Sequence, residues 1–158
     1  MMSLKEYIFD HFANVVVFDF EYSQATGENP NPICCTFKEL KSGKQETHWY
    51  LFQTPDWPYD NSNTLWICHN AVAEVSCMLE LGLDRPDYVW DTMIQDMKLH
   101  RGIENRFNLL ACCNRFGIQT ITEAQKEMFR DLIMNNYPNY SDSEKEKIIE
   151  YNVSDVVE

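Results

Sequence analysis

The chain reads as an α/β domain: a mixed five-stranded sheet, three antiparallel strands followed by parallel ones, flanked by helices. Three observations carry this reading. Apolar and β-branched runs in the first third are joined by short Gly- and Pro-marked turns, the pattern of an antiparallel meander. From residue 65 onward, short apolar runs alternate with helical patterns closed by glycines, which implies parallel strands. The first strand holds Val15-Val16-Val17-Phe18 without polar alternation, so it is buried on both faces and central.

Residues 1–13 are a short lead-in, and the first strand runs from Asn14 to Phe20. Ser23 to Pro32 is rich in turn formers, and Ile33 to Leu40 is a second strand. Lys41-Ser42-Gly43-Lys44 is a hairpin turn into a third strand, Thr47 to Phe52. Gln53 to Asn63, with its Pro, Asp and Asn residues, is a loop. Leu65 to Cys68 is a short buried strand that delivers His69-Asn70 to a helix over Ala71 to Leu81, stopped by Gly82. Tyr88-Val89-Trp90 is the fifth strand. Asp91 ends it and caps a helix toward Leu99. Asn108 to Phe116 is helical with Gly117 as its stop, Thr122 caps a helix from Glu123 to Asn135, and Ser141-Asp142-Ser143-Glu144 opens a last helix.

The length of 158 residues suits one domain, 1–158, with one well-buried core. A formal charge of −12 disfavours loose electrostatic binding to nucleic acid or to an anionic membrane, though part of that charge could belong to metal ligands. No apolar run has the length of a membrane span and the N-terminus is no signal peptide, so a cytoplasmic location is expected. The cysteines, Cys34-Cys35, Cys68, Cys77 and Cys112-Cys113, lack C-x-x-C spacing and accompanying paired histidines. That argues against zinc and for reduced, mostly buried thiols.

Asp19 and Glu21 end the first strand and, two residues apart, project to one side of the sheet. Two carboxylates held that close repel each other, and hard oxygen ligands suit Mg²⁺ or Mn²⁺. A second group is His69-Asn70-Ala71-Val72-Ala73-Glu74, where Asn70 and Glu74 share a helix face. A third is Tyr151 and Asp155, one turn apart on the last helix. Read alone, Glu74 is a first-turn glutamate that suits the helix dipole, and His69 a partly buried imidazole. Asp155 lies near a helix C-terminus, where an acid is unfavourable without a cation.

In order and context, these groups resemble the motifs of the DEDDy 3′–5′ exonucleases of the ribonuclease H-like (DnaQ-like) superfamily. Phe18-Asp19-Phe20-Glu21 is similar to their apolar-Asp-x-Glu. His69 to Glu74 matches their His-Asn-Ala run with a carboxylate four residues after the Asn, and Tyr151 to Asp155 their Tyr-x-x-x-Asp. Asp91-Thr92-Met93, Asn108-Leu109-Leu110 and Arg115 to Ile118 look like the connecting segments of proofreading domains in family A, phage-type DNA polymerases. Three positions depart from the pattern: Glu74 where the family mostly has Asp, Ala73 where an aromatic is usual, and Tyr22 where Thr often follows the acidic pair.

The resemblance implies a ribonuclease H-like fold and a two-metal phosphodiesterase. By that likeness it releases nucleoside 5′-monophosphates from the 3′ end of single-stranded DNA, in proofreading, with RNA trimming or a non-catalytic polymerase module as alternatives. Asp19, Glu21, Glu74 and Asp155 are the implied ligands of two Mg²⁺ or Mn²⁺ ions. Asp19 bridges both, Glu21 and Asp155 complete the first, and Glu74 holds the second through water. Tyr151 orients the attacking water and Asn70 holds a substrate phosphate. Phe20, Tyr22, Trp66 and Phe107 are candidate stacking surfaces, and Lys98, Arg101 and Arg106 candidate backbone contacts. The chain ends three residues after Asp155, which suits a fragment of a polymerase with its other domain in cis or in trans, in a host cytoplasm if phage-encoded.

Overall fold

The computed structural model describes residues 2–53 and 57–157. Helix α1 (Leu4–His11) precedes strands β1 (Asn14–Ser23), β2 (Asn31–Glu39) and β3 (Gln45–Trp49). Then come β4 (Thr64–Cys68), α2 (Ala71–Glu80), β5 (Tyr88–Asp91), α3 (Thr92–His100), α4 (Leu109–Phe116), α5 (Glu123–Asn136) and α6 (Asp142–Val157). The sheet order is β3-β2-β1-β4-β5. β1 pairs antiparallel with β2 and parallel with β4, and β5 lies parallel to β4. This is the expected mixed sheet with β1 at its centre, a ribonuclease H-like arrangement.

The helix limits follow local signals. Asn108 and Thr122 cap α4 and α5 through their side chains, and Gly117 closes α4 in the left-handed region at φ 70°. The lead-in is a correction: Ser3 and Glu6 form a reciprocal capping box, so residues 4–11 are helical. β1 runs three residues beyond Phe20, and β3 ends at Trp49 rather than Phe52. There the chain leaves the ladder, Tyr50 and Leu51 both donating to the Ile33 carbonyl. The expected loop from Gln53 includes 54–56, which lie outside the described residues; Asn61–Asn63 is a single 3₁₀ turn.

Two apolar clusters sandwich the sheet. On one face Val16, Phe18, Phe20, Phe37, Trp66, Cys77 and Met78 pack together under α2. On the other, Ile33, Cys34, Ile133, Tyr140, Ile148 and Tyr151 join the sheet to α5 and α6. Consecutive residues Ile33 and Cys34 reach the same cluster because the β1–β2 register shifts between Glu21 and Tyr22. None of the six cysteines is bridged, and Cys34, Cys35, Cys68 and Cys77 are buried, as expected. Among the described residues no helix is long and apolar enough to cross a membrane.

Candidate metal centre

β1 and β4 pair only as far as Val17 and Ile67. Beyond that point β1 continues to Ser23 beside β2 alone, leaving a crevice at the carboxyl ends of the parallel strands. Strand alternation turns Phe18 and Phe20 into the α2-side core and Asp19 and Glu21 toward α6. From α6 come Tyr151, Asn152 and Asp155. Oxygens of Asp19, Glu21 and Asp155 all lie within 4.8 Å of one another. Asn152 is fully buried. Its Nδ2 donates to the Asp19 backbone carbonyl at 3.0 Å and to Asp19 Oδ2 at 2.9 Å, fixing that carboxylate.

The electrostatics are those of carboxylates forced together away from water. Burial, then the charge of Asp155, pushes Asp19 up to about 8. Burial, then Asp19 and Asp155, raises Glu21 well above the ordinary carboxylate range. Burial raises Asp155 against the opposing charge of Lys126, whose Nζ lies 3.7 Å from Asp155 Oδ2. Tyr151 is raised by burial and by Glu21 and Asp155, so the phenol keeps its proton. Clustered oxygens that resist ionisation fit a hard divalent cation, which would relieve both the repulsion and the desolvation.

α2 supplies the fourth carboxylate. Glu74 is buried and its Oε2 accepts from the Phe20 backbone N–H at 2.8 Å, so it flanks the other three rather than joining their cluster. Burial, then Asp19, raises it, with the Phe20 N–H opposing. Asn70 sits in the left-handed region at φ 77° just before α2. Asp91 holds that turn: Oδ1 accepts from Asn70 N–H at 3.2 Å and Oδ2 from Ala71 N–H at 2.8 Å. Oδ1 also accepts from Met93 and Ile94, so one carboxylate caps the starts of α2 and α3.

Solved structures of two known proteins share this fold. Escherichia coli RNase D, an exoribonuclease involved in structured RNA processing, superposes with a TM-score of 0.61 at 14% identity over 90% of this chain and 36% of its own. Brucella melitensis NrnC with bound Mg²⁺ gives 0.63 at 17% identity, covering 93% of this chain and 69% of NrnC. NrnC bound to pGG gives 0.61 at 16%, with the same coverage. The chain thus spans about a third of the length of RNase D. No family model and no curated protein matches the sequence.

Within this RNase D- and NrnC-like frame the expected residues fall into different settings. Asp19, Glu21, Tyr151 and Asp155 meet, with Glu74 alongside. His69 bridges Thr92 Oγ1 at 3.0 Å and the Phe107 carbonyl at 2.9 Å, so its ring fastens the start of α2 to the segment before α4. Phe20 is a correction. Its ring is buried against Tyr50 and Trp57 and offers no face to a base. Trp66 is equally enclosed. Tyr22 is half-buried and lines a cavity of about 410 Å³ with Glu21, Gln24, Arg130, Met134 and Tyr151. Phe107 lies under the Arg115 guanidinium. Lys98, Arg101 and Arg106 are exposed, with Lys98 and Arg101 lining a shallow pocket on α3. Sequence reading missed Asn152, Lys126 and the second role of Asp91.

Proposed function

We propose that the chain is a metal-dependent 3′–5′ exonuclease that removes nucleoside 5′-monophosphates from single-stranded nucleic acid. The observation that carries this reading is the convergence of Asp19, Glu21 and Asp155 to within 4.8 Å beside Tyr151, from the first strand and the last helix of the chain. Asp19, Glu21 and Asp155, with Glu74 in support, would hold Mg²⁺ or Mn²⁺, in two ions by the family resemblance. Bound there, such ions supply a hydroxide-like water at neutral pH and neutralise charge on the phosphate.

The chain's own residues do the rest. Asn152 fixes Asp19, and the protonated Tyr151 orients the water, which gives up a proton to solvent as its oxygen forms the new bond to phosphorus. The P–O3′ bond to the upstream nucleotide breaks. The leaving 3′-oxygen takes a proton from solvent, and the terminal nucleotide departs with its 5′-phosphate.

RNA is the better-supported substrate, because RNase D is an exoribonuclease. DNA proofreading beside a polymerase domain in cis or in trans is the second reading, and it rests on the polymerase-like Asp91-Thr92-Met93 and Asn108-Leu109-Leu110 segments. A purely structural module would have no use for buried carboxylates that repel one another. The test is a time course on matched 5′-labelled RNA and DNA oligonucleotides in Mg²⁺, Mn²⁺ or EDTA, for wild type and Asp19→Ala. The expected outcome is a ladder shortening from the 3′ end, faster on RNA, absent in EDTA and in the variant. A folded wild-type protein that cleaves neither oligonucleotide with either metal refutes the proposal.

A further inference from the structure

The centre of this acidic chain must still receive a polyanion. With a formal charge of −12, long-range attraction cannot deliver it, so local cations must. α5 supplies two. Lys126 and Arg130 are four residues apart, so they share a helix face with Cβ atoms about 5–6 Å apart. The helix between them is pinned to the site. Phe129 stacks on Tyr151 with ring centroids 4.6 Å apart and an interplanar angle of 2°, and Ile133 is buried in the same cluster.

The two cations sit differently. Lys126 is a quarter exposed, and its charge draws down Asp19, Glu21 and Asp155 together. At 3.7 Å its pairing with Asp155 is loose, so the ammonium, with three donors, can turn toward another anion as well. Arg130 is exposed and lines the 410 Å³ cavity beside Glu21, Tyr22 and Tyr151, about one helical turn further along. No ion pair holds it among the described residues. An extended strand presents phosphates at a step commensurate with one helical turn. A terminal nucleotide has no phosphate on its 3′ side, so the neighbour of the scissile phosphate lies upstream.

We infer that Lys126 and Arg130 form a two-point phosphate reader, Lys126 taking the scissile phosphate and Arg130 the next phosphate upstream. This rests on the exonuclease reading and deepens it: Lys126 acts on the reacting group, and Arg130 sets the register of the strand.

The experiment uses the full chain, wild type, Lys126→Met, Arg130→Met and Arg130→Lys. Two oligonucleotides are compared, one all-phosphodiester and one with a neutral methylphosphonate at the penultimate linkage. Steady-state cleavage in Mg²⁺ and fluorescence anisotropy of the labelled strands in Ca²⁺ are both read. Arg130→Met is expected to raise KM and weaken binding about tenfold on the natural strand with kcat held. It should change neither on the methylphosphonate strand, which already weakens wild type to the same extent. Arg130→Lys should recover part of the loss. Lys126→Met should lower kcat on both strands alike. Unchanged KM and binding in Arg130→Met, or an equal loss on both strands, overturns the reader while cleavage by wild type keeps the exonuclease. A wild type that binds with this Arg130 dependence but does not cleave keeps the reader and removes the exonuclease.

Discussion

Asp91 tests how the site is held. Its carboxylate accepts four backbone N–H groups, those of Asn70 and Ala71 at the start of α2 and of Met93 and Ile94 at the start of α3. Removing an N-cap side chain costs about 1 kcal/mol, up to about 2. Asp91→Ala removes two caps at once and frees Asn70 from the left-handed conformation they stabilise, so a loss of about 2–4 kcal/mol is expected. For a chain of this size that is a fall in Tm of roughly 5–15 °C. Asp60, whose side chain caps only the 3₁₀ turn through Ser62, is the control, and Asp60→Ala should cost about 1 kcal/mol or less. Asp91→Asn keeps one acceptor oxygen and should fall between them. Urea unfolding gives the answer, provided the slope is unchanged so that the midpoint reports stability. A loss in Asp91→Ala no larger than in Asp60→Ala would refute the double cap. Stability lost without displacement of Glu74, read as undiminished Mg²⁺ affinity, would show that α2 is held by its packing instead.

Two further outcomes follow from the same geometry. Tyr151→Phe keeps the ring that stacks on Phe129 and loses only the hydroxyl, so fold and Mg²⁺ binding should stay near wild type while kcat falls about a hundredfold. Calorimetry showing it as metal-deficient as Asp19→Ala would end the water-orienting role. The second concerns pH. Asp19 is raised to about 8 from an ordinary 3.8, and Glu21, Glu74 and Asp155 are raised with it. Above pH 4 the unfolded chain loses these protons while the folded chain keeps them. In EDTA the stability they contribute is therefore whole below pH 4 and is lost as pH rises through about 8. Mg²⁺ binds the ionised form, so its increment in Tm should grow from pH 5 to pH 8.5; a constant increment would mean the carboxylates are not its ligands.

The central strand and the acidic pair were legible because burial on two faces leaves a run like Val15-Val16-Val17-Phe18, and the break to Asp19 and Glu21 is abrupt. The starts of α3, α4, α5 and α6 were legible from the cap residues Asp91, Asn108, Thr122 and Ser141. Ser3 carries the same signal, Ser-x-x-Glu, and Leu4, Tyr7 and Ile8 follow it at helical spacing, so α1 was equally legible. Phe20 could have been placed correctly: the alternation that puts Asp19 and Glu21 on one face puts Phe20 on the other. Asn152 and Lys126 carried no such signal. An asparagine in mid-helix and a lysine on an amphipathic helix acquire meaning only when α5 and α6 are packed against β1, which is tertiary information.

Glu74 shows how one of the departures from the family pattern fits the fold. Because β4 stops pairing at Ile67, the Phe20 N–H faces the side that β4 has left, and a buried donor there needs an acceptor. A glutamate from the first turn of α2 reaches across the crevice and accepts it with Oε2. In the proposed exonuclease, Oε1 would be the oxygen left to hold a metal ion, which would also relieve the repulsion between Glu74 and Asp19. An aspartate is shorter by about 1.5 Å, one carbon–carbon bond, and from the same backbone position would give up one of the two tasks. The side chain's length is thus tied to the divergence of β1 and β4, the feature that opens the crevice beside Asp19 and Glu21 in the first place.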